Sequence, residues 1–205
     1  MPNTSATGGY LQPAPAPAPA EGQTLFRFLQ QWFVGLSGLD GTMVRPQYQA
    51  VLPSIPDDGI GWMSFRITTE DGDRFPYIVH KGDQPDDNGS DELQRHETLN
   101  ILCSFYDTGD TGNADLLMRL VRDNSAIPQN REVLLPALMQ LAYVGDAVVV
   151  PVIVKTKWLY QVDLPVLIRR QVVRSYPVLN VLSMVGTLKF DTGAKDKPLA
   201  VNPPA

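Results

Sequence analysis

Residues 157–176 read Lys157-Trp158-Leu159-Tyr160-Gln161-Val162-Asp163-Leu164-Pro165-Val166-Leu167-Ile168-Arg169-Arg170-Gln171-Val172-Val173-Arg174-Ser175-Tyr176. The run is β-branched and long, so it reads as a strand. Its arginines are the anomaly, because unpaired charge is prohibitively costly to bury. A free edge of this length would also invite pairing with other chains. The stretch therefore predicts a strand whose contacts lie partly with a neighbouring molecule. Pro165 interrupts it and predicts a bulge, a bend or an edge position.

Working upstream, Ala147 to Val154 and Leu138 to Val144 read as two further strands around Gly145-Asp146. Before them, a helix is expected over Asn113 to Asp123, with Ala114, Leu117, Leu120 and Val121 on one stripe. A short helix follows from Pro128 to Leu135 and ends at Pro136. Between Gln94 and Tyr106, Leu99, Ile101, Cys103 and Phe105 alternate with polar residues, as in a half-buried strand. Gly61 to Thr68 alternates similarly, and Phe75 to His80 is expected to pair with it as a hairpin across the Glu70-Asp71-Gly72-Asp73 turn. Asp40 to Ile60 reads as an irregular connection with a short strand around Gln47 to Leu52.

The first helix is expected over Gln23 to Leu36. There Leu25, Phe28, Leu29, Trp32, Phe33 and Leu36 form one apolar face, with Thr24 as N-cap and Gly35 and Gly38 weakening the far end. The order of helix, strands, helices, strands predicts an α+β fold: a mainly antiparallel sheet packed with two or three helices, with extended termini. Residues 1–22 contain alternating Pro and Ala from Pro13 to Ala20, which predicts a disordered or extended arm. The domain is expected over 23–190, and 191–205 as a flexible tail.

The 205-residue chain carries a net charge of −5 and 43% hydrophobic residues. This composition argues for a soluble globular protein and against a dedicated nucleic-acid binder. No stretch approaches the ~20 apolar residues of a membrane helix, and no secretory signal is evident. The lone Cys103 excludes an internal disulfide.

Signatures of catalysis are weak. Phosphate loops, dinucleotide fingerprints and nucleophile elbows are missing from the sequence. His96-Glu97-Thr98-Leu99-Asn100 begins like a zinc-binding helix, but Asn100 stands where the second histidine belongs, and the segment has strand periodicity. Cys103 and His96 fall on opposite faces of a regular strand. The acidic loop with Asp83, Asp86 and Asp87 lacks the spacing of a calcium loop and reads as a solvated surface. A small metal-binding enzyme using Asp83, Asp86, Asp87, His80 and His96 is the weakest reading; no catalytic residue, metal ligand or cofactor is assigned. The segment Lys155 to Arg174 holds five cations against one anion, Asp163. Arg169, Arg170 and Arg174 are accordingly candidate subunit-interface residues, with Asp83, Asp86 and Asp87 as carboxylate partners, since guanidinium groups suit bidentate contacts. Charge reversal at Arg170 or Arg174 is expected to impair assembly while leaving the monomer folded.

Four segments together resemble the phage neck-terminator family of contractile-tailed phages: Gly61-Trp62-Met63-Ser64-Phe65, Arg95 to Tyr106, Pro128-Gln129-Asn130-Arg131-Glu132, and Val162-Asp163-Leu164-Pro165-Val166 through Tyr176-Pro177-Val178-Leu179-Asn180. The similarity spans roughly Thr24 to Gly186. It implies a structural virion protein of the neck that forms a ring, a hexamer, which terminates the tail tube or sheath and joins the tail to the head connector. The implied partners are further copies of the chain, the connector and the tube or sheath proteins, with DNA only passing through the channel and no membrane contact. The implied location is the virion neck, after assembly in the host cytoplasm. The same resemblance leaves open another neck role, as a collar, head-tail connector or tail-completion protein.

Overall fold

The computed structural model describes residues 10–14, 21–47, 56, 59–82, 88–108, 112–154, 157–179, 184–188 and 197–201. The chain divides into two compact units, one made of Ala16–Pro76 with Gln94–Val173, the other of Met1–Pro15, Tyr77–Leu93 and Arg174–Ala205.

The larger unit is a helix-on-sheet layer. Helix α1 (Gly22–Ser37) buries Leu25, Leu29, Trp32, Phe33 and Leu36, the face expected from its periodicity. Each such side chain contributes about 1.5–3 kcal/mol of transfer free energy. Its N-cap is Glu21; Thr24 lies inside the first turn, where its hydroxyl donates to the Glu21 carbonyl (2.6 Å), so the expected Thr24 cap is corrected. The C-terminus closes on Gly38, at φ 69°, whose N–H donates to the Val34 carbonyl. Two side-chain hydrogen bonds tie α1 to the later helical segment: Trp32 Nε1 donates to the Asn130 carbonyl (2.9 Å), and Asn124 Nδ2 donates to the Leu36 carbonyl (2.7 Å).

Under α1 lies a mostly antiparallel sheet ordered β1 (Val44–Pro46), β2 (Trp62–Gly72), β4 (Asn88–Asp107), β7 (Lys157–Leu179) and β5 (Met139–Val144), with β3 (Tyr77–Lys81) on β4 and β6 (Val148–Val154) on β7. The α+β class is as the sequence indicates. The expected hairpin of β2 with β3 is not formed. β2 pairs antiparallel with β4 from Trp62↔Tyr106 to Gly72↔Glu97, and parallel with β1. The reason is register: Met63↔Phe105 and Phe65↔Cys103 place four fully buried apolar residues on one face. β1 lies just before the expected strand at Gln47 to Leu52, most of which falls outside the described residues.

Helix α2 (Asn113–Ala126) buries Ala114, Met118, Val121 and Ser125, while Leu120 is exposed. Met118 thus replaces Leu120 on the expected stripe, since positions 114, 118, 121 and 125 follow the helical period. A short helix, α3 (Pro128–Glu132), and a single 3-10 turn at Leu135–Ala137 lead into β5; Pro136 sits inside that turn rather than ending a helix.

Over residues 157–170 the long strand has strands of its own chain on both sides, so it is not a free edge there. β4 lies along one side of β7, and β5 and β6 share the other. β5 pairs from Met139↔Arg170 to Val144↔Val166, and β6 from Val148↔Asp163 to Val154↔Lys157. Pro165 falls between these two ladders, where its carbonyl accepts the Gly145 N–H (2.8 Å) and its missing N–H interrupts neither ladder.

The smaller unit contains β3 beside the first residues of β4, with His80 against Asp91 (2.7 Å) and Lys81 against Glu92 (2.5 Å). It also holds the antiparallel pair β8 (Met184–Leu188) and β9 (Lys197–Val201). The N-terminal arm makes a backbone bond there, from Ala14 N–H to the Ser175 carbonyl (2.8 Å).

Candidate subunit-interface site

Alternation along β7 separates the arginines. Leu164, Val166, Ile168, Arg170 and Val172 are buried, and Arg169 points the other way and is exposed. Arg170 thus occupies a core-facing position, with 6% of its surface accessible. Its Nε and Nη2 both donate to Glu97 Oε2, at 2.7 and 2.6 Å. Glu97, equally buried, offers its other oxygen to Arg95, and Glu70 stands 3.6 Å from Arg170 Nη2. Charge-assisted hydrogen bonds of this geometry offset the desolvation of both ions.

The position of Glu97 follows from β4 itself. It shares parity with Leu99, Ile101, Cys103 and Phe105, so the strand delivers a carboxylate to the buried face. That parity is the sequence signal for the partner of Arg170, and it is missed when the three arginines are taken as a group. Arg170 therefore finds its carboxylate inside its own chain. The expectation that charge reversal there would spare the fold is revised, because a glutamate at position 170 would face buried Glu97.

Above this pair lies an open cleft of about 740 Å³. Arg169, Arg170 and Gln171 of β7, Leu138, Met139 and Gln140 at the start of β5, and the β2 and β4 residues Asp71, Asp73, His96 and Glu97 line it. His96 is exposed and bonds to Asp73, whose carboxylate accepts the His96 N–H (3.1 Å) and approaches Nδ1 (3.3 Å). Leu138 is exposed at the rim with φ 54°, the left-handed region that side chains other than glycine rarely adopt. Donors, acceptors and aliphatic contacts in one open cleft equip it to hold a surface.

The remaining candidates separate. Arg174 is half-buried in the smaller unit, and Asp83, Asp86 and Asp87 lie outside the described residues. Cys103 is fully buried in the core, where burial pushes its thiol far up and the Asp163 charge adds to the effect. His96 faces solvent while its neighbour Glu97 is buried, the alternation that a strand imposes and a zinc helix would not. Among the described residues no three His, Cys, Asp or Glu side chains converge as a metal site, and no helix is long and apolar enough to cross a membrane.

No curated protein matches the chain. A family model does: the one described as phage neck terminator protein, over residues 23–193. That span takes in α1, the strands β1 to β8 and both later helices, so the chain belongs to the phage neck terminator family.

Proposed function

We propose that this phage neck protein forms a closed ring, a hexamer, at the top of a contractile tail, where it terminates the tube or sheath and joins it to the head connector. The observation that carries this reading is the family match over residues 23–193. Family membership gives the coarser frame: a virion protein whose role is structural and whose partners are tail and head-connector proteins. Assembly precedes in the host cytoplasm, and no cofactor is required.

The ring needs heterologous surfaces that close by rotation. Arg169 suits one, since it is exposed and among the residues lining an open cleft, whereas Arg170 is held by Glu97 of its own chain. We assign Arg174 and the acidic residues Asp83, Asp86 and Asp87 to contacts between subunits as well. The net charge of −5 suits a channel that lets DNA pass without gripping it, because phosphate binding depends on cationic neutralisation.

Sedimentation velocity across a concentration series tests the reading. A discrete ring species should appear as concentration rises, and Arg169→Glu should shift it to higher concentration with an unchanged melting curve. A protein that stays monomeric alone and in contact with tail components would overturn it.

A further inference from the structure

Strand β6 reads Val148-Val149-Val150-Pro151-Val152-Ile153-Val154, with no charged residue. It pairs with β7 alone among the described residues, and within them its other edge is open. Val148, Val149 and Ile153 are 56, 52 and 60% exposed. An uncharged, exposed, β-branched edge is a template for a second copy of the same strand.

The direction of each backbone group on β6 follows from bonds made elsewhere on β7. The Pro165 carbonyl accepts from Gly145, and Gln171 N–H donates to the Leu138 carbonyl (3.0 Å). Both odd-numbered residues thus turn their polar groups toward the side shared by β5 and β6. The register shifts on that side, at Ala142 and again between Val144↔Val166 and Val148↔Asp163, each place the extra residue on the β5–β6 side, so β7 keeps its alternation. Paired residues in an antiparallel ladder either both face each other or both face away. Val148, Val150, Val152 and Val154, opposite odd-numbered residues, face β7; Val149, Pro151 and Ile153 face outward.

The centre of the open edge is therefore the one residue without an N–H. On β5, the adjoining part of the same edge, the Met139 N–H is already taken by the Leu134 carbonyl (3.1 Å) and Ala142 forms a bulge. Both are ways of making an edge unfit for pairing. We propose that Pro151 is an edge-blocking residue: by withholding the central outward donor of β6, it keeps a second copy of this chain from zipping onto the Val148–Val154 edge. The apolar side chains stay exposed while open-ended backbone pairing is suppressed. This device does not rest on the proposed ring contact at Arg169, which lies outside the β6 edge.

Pro151→Val restores the donor and completes the β-branched strand. Its threshold concentration for thioflavin binding and light scattering should fall roughly tenfold or more below wild type, the effect of about two added net hydrogen bonds across a symmetric pairing. Adding Ile153→Lys to Pro151→Val should return the threshold to the wild-type value, because an edge charge blocks pairing. Pro151→Ala restores the donor with the smallest side chain and should move the threshold in the same direction; it replaces the valine variant as the test if that variant melts below wild type. Wild-type thresholds in both single variants, or aggregation that Ile153→Lys leaves unchanged, would overturn the proposal. Neither result bears on whether the wild-type chain forms a ring.

Discussion

Replacing Glu97 by leucine should destabilise the larger unit more than any surface change on β7. Glu97 and Arg170 each expose 6% of their surface, and two guanidinium nitrogens lie within 2.7 Å of Glu97 Oε2. Once the carboxylate is gone, Arg170 retains a charge in a nearly dry position. Glu70, 3.6 Å away and half exposed, compensates little. Loss of one member of such a pair costs about 3–5 kcal/mol. For a chain of this size the melting temperature should fall by roughly 6–20 °C. Arg170→Met should cost less, about 1–3 kcal/mol, because Glu97 keeps its contact with Arg95. Combining Glu97→Leu with Arg170→Met should recover most of the loss, since a buried pair replaced by apolar groups is often close to neutral. Urea unfolding of the four proteins forms a double-mutant cycle, with a coupling of about 2 kcal/mol or more expected. Additive losses, or a cost below about 1 kcal/mol for Glu97→Leu alone, would refute the buried pair.

Leu138→Gly should raise stability by roughly 0.5–1 kcal/mol in the same assay, because the left-handed backbone at φ 54° penalises a side chain that is already 53% exposed. Trp32→Phe keeps the ring in the core but removes the 2.9 Å bond to the Asn130 carbonyl, and should cost about 1–3 kcal/mol by thermal melting. Cys103 should resist thiol reagents until the protein unfolds. Its buried thiol titrates above the ordinary range, so the unfolded chain loses that proton first; the stabilisation is complete below the ordinary thiol pKa and declines above it by about 1.4 kcal/mol per pH unit. Cys103→Ala should flatten that part of the pH–stability curve; an unchanged slope would contradict the assignment.

The periodicity of α1 and the alternation of β4 were legible because each element presents one apolar face to a single core, and that face appears in the spacing of Leu25 to Leu36 and Leu99 to Phe105. Strand pairing was less legible. Sequence adjacency favoured β2 with β3, but matching of buried faces put β2 on β4, and that choice depends on residues more than thirty positions apart. The arginines show the same limit. Parity along β7 placed Arg170 among valines and isoleucines, yet the carboxylate that makes this tolerable comes from position 97, and only the folded sheet brings the two together. Taking Arg169, Arg170 and Arg174 together as interface residues left the partner of Arg170 within its own chain unassigned. Pro165 and Pro151 both stand within strands. The first falls between two ladders, and the second faces an open edge, a distinction set by the register of β7 with both neighbours.

Cryo-EM reconstruction of the virion neck tests the central claim most directly. A closed ring of this chain between the head connector and the last layer of the tail, with Arg169 at the contact between neighbouring copies, is the predicted result. A neck in which that position is filled by another protein, with this chain absent from the particle, would contradict it.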